Sequence, residues 1–152
     1  MEEIIKYEGC FVCGDKNPDG LRIPFYYDGD HAVADYVSDG KFQGYPGVFH
    51  GGLVATLLDE IMAKAVLARQ RYCMTVEMSV RYKQAVPVGE KLRLVGWVTA
   101  ERGRLLETQG EIRGADGLVY ATATGKYLEA PAKIRDELLT GSRVDNIDQN
   151  ST

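Results

Sequence analysis

The chain has 152 residues, 45% apolar and 26% charged, with a formal charge of -4 at neutral pH. Those proportions describe one ordinary globular domain, long enough to bury a core. The acidic balance argues against a dedicated nucleic-acid surface, which needs clustered Lys and Arg. No apolar run approaches the roughly 18 residues of a membrane span. The opening "MEEIIKYEG" lacks the charged-then-apolar pattern of a secretion signal, so a cytoplasmic location is expected.

Cys10 and Cys13 form a C-x-x-C pair, and Cys73 is the third cysteine. A zinc or redox role is conceivable for such a pair. A closed zinc site wants four ligands, however, and no second C-x-x-C or H-x-x-x-H follows. Reduced structural thiols are therefore expected, with no metal. "NPDG" at residues 17–20 is a tight turn leading into a strand over 21–27. A second strand over 31–37, across Asp28-Gly29-Asp30, makes a hairpin.

A loop, "SDGKFQGYPG", leads to a long apolar helix in "VFHGGLVATLLDEIMAKAVLA". On a helical wheel its apolar residues cover most of the circumference, and only Thr56, Glu60 and Lys64 form a polar stripe. Such a helix is buried on nearly all sides. Glu60 has Lys64 at i+4, which reads as a solvated ion pair. Asp59 instead sits among Ala55, Met62, Ala63 and Val66. Small neighbours leave room beside it, and apolar ones would desolvate it and strengthen it as a nucleophile.

Period-two alternation follows. "MTVEMSVRYKQAV" places Val76, Met78, Val80 and Tyr82 on one face and Thr75, Glu77, Ser79 and Arg81 on the other. Strands over 91–100, 104–113 and 118–128 have short connections, which join antiparallel neighbours. Pro131 opens a short helix through residue 139, and the polar residues 141–152 read as a flexible tail. The order is β-β-α-β-β-β-β: an α+β domain over residues 1–140, one antiparallel sheet with one long helix.

The helix start carries chemistry. His50 is placed to cap it, with Gly51 and Gly52 in the first turn. First-turn N–H groups have no intrahelical acceptor and sit at the positive end of the helix dipole. Without side chains on the glycines, a carbonyl oxygen can approach closely, as in an oxyanion hole. Asp59 is a candidate nucleophile or base to complement it. Eight residues of helix separate Gly51 from Asp59 by about 12 Å, while both must lie within roughly 3–3.5 Å of one reacting group. One chain cannot supply both. Two such helices packed antiparallel about a two-fold axis can.

"FQGYPGVFHGGLVATLLDE", followed by "TVEMSVRYKQAVPVGE", resembles the hotdog-fold acyl-coenzyme A thioesterases of the phenylacetate-degradation and thioesterase-superfamily type. "CFVCGDKNPDGL" is similar to a segment common among them. The resemblance implies the hotdog fold, thioester hydrolysis, and a homotetramer built as a dimer of dimers. It makes Asp59 the catalytic carboxylate and Gly51 the N–H donor to the thioester carbonyl. His50 orders the loop, and Thr75 lies near the attacking water. Gly52, Gln43 and Glu77 are assigned to substrate binding. Gln43 stands in for an Asn that some relatives carry where this chain has Gly44. Coenzyme A is part of the substrate, and no cofactor is implied.

Two rivals differ in what they require. A hotdog dehydratase or hydratase pairs a His with an acid as acid and base. A non-catalytic acyl-thioester binding module keeps the pocket without needing Asp59.

Overall fold

The computed structural model describes residues 1–140. Four long strands carry the sheet: β4 (Cys73–Tyr82), β5 (Lys91–Arg102), β6 (Leu105–Gly114) and β7 (Val119–Glu129). β3 (Ala32–Val37) and the two-residue strands β2 (Tyr26–Tyr27) and β1 (Glu2–Glu3) extend it. The spatial order is β1-β2-β3-β5-β6-β7-β4, and every neighbouring pair is antiparallel. One helix, α1 (Gly51–Leu67), packs on this sheet, and α2 (Ala132–Thr140) follows β7. The expected α+β architecture is present. The expected tail, residues 141–152, lies outside the described residues.

The helix beds closely into the sheet because β5 and β6 lack side chains beneath it. Gly96 and Gly110 are register partners. A Cβ on Gly96 would lie 2.6 Å from the Ile61 carbonyl oxygen, and one on Gly110 would lie 3.1 Å from Met62 Cγ. Leu57, Leu58, Ile61 and Met62 are consequently fully buried, in one core with Leu94, Leu106 and Ile112. Each such side chain contributes about 1.5–3 kcal/mol on leaving water.

The hairpin at residues 28–30 forms as expected: Asp28 Oδ1 accepts from the N–H groups of Asp30 and His31 at 2.8 and 2.7 Å. The strand expected over 21–27 does not. Only Tyr26–Tyr27 pair regularly, because Arg22 takes a left-handed conformation (φ 56°) that breaks the extended run. Ile4, Val12, Cys13, Ile23 and Phe25 are nonetheless buried. This N-terminal segment covers the side of α1 that carries Glu60 and Lys64, tied by Ile4 N–H to the Phe25 carbonyl at 2.8 Å and Ile23 N–H to the Val12 carbonyl at 3.0 Å.

β4 is an edge strand and is not regular. Thr75 is opposite Tyr127 and Glu77 is opposite Lys126, so Val76 is an extra residue in a β-bulge. Strict alternation over residues 74–86 would have turned Thr75 away from Met78 and Val80. The bulge resets the alternation, so Thr75, Met78 and Val80 all face α1.

Candidate active site

Asp59 sits in the third turn of α1, half-buried, where the helix crosses β4 and β7. Its Oδ1 accepts two hydrogen bonds, from Thr75 Oγ1 at 2.9 Å and from the Tyr127 hydroxyl at 2.9 Å. The Tyr127 hydroxyl is also 3.0 Å from the Asp59 carbonyl oxygen. No hydrogen bond among the described residues engages Oδ2. The carboxylate is thus held by one oxygen and presents the other.

Tyr127 was not among the expected site residues. It is fully buried, and burial, followed by the adjacent Asp59 carboxylate, holds its hydroxyl protonated well above the usual tyrosine range. One signal for it exists in the sequence. The inward residues of β7 that precede it are Ala121, Ala123 and Gly125, so Tyr127 is the one bulky group with a polar tip in a row of small ones. A buried phenol needs a partner.

The helix start takes the expected form, with one correction. His50 is the N-cap, and its Nδ1 accepts from the Gly52 N–H at 2.8 Å. Gly52 therefore has no free N–H to offer a substrate. Its lack of a side chain serves the cap instead, since a Cβ there would lie 2.9 Å from His50 Nδ1. Gly51 remains: no hydrogen bond among the described residues uses its N–H, while its carbonyl accepts from the Tyr82 hydroxyl at 2.7 Å. A hollow of about 400 Å³ lined by Gly44, Tyr45, Val48, Phe49, His50 and Gly51 opens beside it.

Gln43 shapes the preceding loop, its Oε1 accepting from the Gly47 N–H at 3.2 Å, and a Cβ on Gly44 would lie 3.4 Å from His50 Cδ2. Glu77 does not join the site. It lies beyond the bulge on the outer face of the sheet, exposed, with Lys126 Nζ at 3.4 Å. Glu60 is also not the solvated partner expected of it. Lys64 is 1% exposed, donates to the Ile5 carbonyl and lies 3.9 Å from Glu60 Oε1. Burial first, and Cys10 second, push the Glu60 carboxyl up to about 7. The wheel placed these residues correctly on one stripe, but the N-terminal segment covers that stripe.

Residues 46–121, half of the chain, match the family model of the Thioesterase superfamily, a span that includes His50, Gly51, Asp59 and Thr75. The chain belongs to the thioesterase superfamily. A solved thioesterase superfamily protein, RHA08564, superposes with a TM-score of 0.76 at 29% identity, covering 80% of this chain and 61% of that one. The acyl-coenzyme A thioesterase THEM4 of Xenopus laevis is 26% identical over 107 residues, 69% of this chain and 48% of that protein. The chain thus spans about half the length of that curated relative. The hypothetical thioesterase of Streptococcus pneumoniae TIGR4, solved with coenzyme A, superposes with a TM-score of 0.64 at 22% identity, covering 66% of this chain and 79% of that one. No described helix of this superfamily member is long and apolar enough to cross a membrane.

Proposed function

We propose that this protein hydrolyses acyl-coenzyme A thioesters to the free acid and coenzyme A, with Asp59 as nucleophile or general base. The observation that carries the reading is the Asp59 carboxylate, fixed through Oδ1 by two hydroxyls and open at Oδ2. Membership of the superfamily, the THEM4 relative and the coenzyme A in a structural neighbour support the substrate class.

The chemistry needs little else. A thiolate leaving group has a pKa near 8.5 and departs without a strong general acid. If Oδ2 attacks the thioester carbon, a mixed anhydride forms, the thiolate leaves, and water then cleaves the anhydride. If Oδ2 instead takes a proton from water, the resulting hydroxide attacks and the proton passes to the departing sulfur. In both cases the negative charge develops on the carbonyl oxygen, and Gly51 N–H is the donor for it. The Thr75 proton is committed to Asp59, so its hydroxyl positions the carboxylate and can accept a hydrogen bond from the water.

The donor and the carboxylate come from different chains in this reading. About 12 Å of helix separates them within one chain. The free edge of β4, exposing Met74, Val76 and Tyr82, is a surface suited to a second copy. Free-thiol release from a panel of acyl-coenzyme A substrates tests the function. Asp59→Asn keeps the shape and removes the nucleophile or base, so turnover should fall by at least about 10². A folded Asp59→Asn protein with most of its activity would refute the mechanism. Absence of thiol release from every acyl-coenzyme A would refute the function.

A further inference from the structure

The Cys10-x-x-Cys13 pair meets a residue remote in sequence, Glu60 of α1, beneath the N-terminal segment. Cys10 Sγ lies 3.9 Å from Glu60 Oε1, and the donor atoms of Cys10, Cys13 and Glu60 all fall within 4.8 Å of one another. We propose that these three residues form a site for a thiophilic divalent cation of the zinc type, with water as fourth ligand.

A tight turn presents the two sulfurs side by side. Cys13 N–H points at Cys10 Sγ at 3.4 Å, and Gly14 N–H closes the turn on the Cys10 carbonyl at 3.0 Å. Only glycine fits after Cys13, because a Cβ on Gly14 would lie 2.3 Å from the Glu8 carbonyl oxygen and 2.6 Å from that of Cys10. An N–H aimed at sulfur favours a thiolate, the form that binds metal. Tetrahedral zinc, with bonds of about 2.3 Å to sulfur and about 2.1 Å to oxygen, sets its ligands roughly 3.6–3.8 Å apart. Closing 4.8 Å to that distance takes small side-chain rotations.

Charge supports the same occupant. Two thiolates and one carboxylate carry three negative charges, and the buried Lys64 ammonium near Glu60 supplies one positive charge. A divalent cation brings the enclosed cluster to zero, which a buried site favours. Cys10 Sγ, at 3.9 Å from Glu60 Oε1, is too far for a strong hydrogen bond. Cys13 is buried, whereas Cys10 and Glu60 are partly exposed. The sequence spacing alone offers no second ligand pair. The third ligand comes from α1, fifty residues away from Cys10.

The test reads metal uptake and is independent of thioester hydrolysis. Full-length protein, reduced and stripped with a chelator, is titrated with zinc against a chromophoric chelator. A parallel titration with cobalt reports sulfur-to-metal charge transfer. One ion per chain is expected, with cobalt showing thiolate bands and zinc raising the melting temperature. Cys10→Ser and Glu60→Gln should each weaken binding by at least about tenfold, while Cys73→Ser should not change it. Both test positions are partly exposed, so folding is expected to survive and is checked by circular dichroism. The proposal is overturned if the reduced protein takes up no stoichiometric ion, or if Glu60→Gln binds as tightly as the parent. A Cys10–Cys13 disulfide that forms in air despite added zinc would also overturn it, in favour of a redox pair.

Discussion

The Tyr127 hydroxyl is 2.9 Å from Asp59 Oδ1 and 3.0 Å from the Asp59 carbonyl oxygen, so one residue of β7 meets both ends of the carboxylate-bearing residue on α1. Its single proton serves whichever acceptor needs it. Tyr127→Phe keeps the ring and removes that proton. We expect turnover to fall about tenfold with KM less affected, and stability to fall by about 1 kcal/mol. Steady-state kinetics with a urea melt on the same sample check both. A raised KM at unchanged turnover would place Tyr127 in substrate binding.

Thr75 makes the second bond to the same oxygen. Thr75→Ala should lower turnover more than it raises KM, by about tenfold, since it frees the carboxylate to rotate away from the reacting geometry. Thr75→Ser retains the hydroxyl and should recover most of the loss. Equal activities for the alanine and serine variants would mean that the methyl group, and not the hydroxyl, matters.

Gly96→Ala tests the close approach of helix and sheet. The new methyl would lie 2.6 Å from the Ile61 carbonyl oxygen, a backbone atom that cannot swing aside. Lifting α1 should cost about 1–3 kcal/mol, or roughly 2–4 °C of melting temperature per kcal/mol for a domain of this size. Because Asp59 rides on the same helix, activity should fall as well. Calorimetry showing an unchanged melting temperature would contradict the packing described.

Complementation between chains tests the shared site. Gly51→Pro deletes the proposed oxyanion donor at a helix position that accepts proline, and Asp59→Ala deletes the carboxylate. Each alone should be nearly inactive. Refolded together at equal ratio, half of the dimers are mixed and each mixed dimer has one intact site, so about a quarter of wild-type activity should return. Each variant must first be shown to fold and to associate. Verified mixed dimers without activity would contradict a site shared between chains.

Much of this site can be read along the chain, and what escapes does so for identifiable reasons. The His50 cap and the four long strands follow from local chemistry and period-two alternation, both properties of neighbouring residues. The burial of Glu60 escapes a helical wheel, which reports which residues share a stripe and not what lies on top of it. Residues 4–25 cover that stripe through irregular backbone that no periodicity announces. The cap role of Gly52 is hidden in the sequence because capping and substrate binding ask for the same small residue. The alignment of Tyr127 with Asp59 spans 68 positions and exists only after β7 is in register.

The bulge in β4 sets which length changes this strand can absorb. Val76 is the spare member of the ladder: remove it, and Glu77 still faces Lys126 while Thr75 still faces Tyr127, now in a straight strand. A one-codon deletion there should therefore be survivable. Retaining Val76 but flattening the strand would instead swing Thr75 to the outside and cut its bond to Asp59. The position of the hydroxyl is thus indexed to the strand across from it, and not to the number of residues in its own.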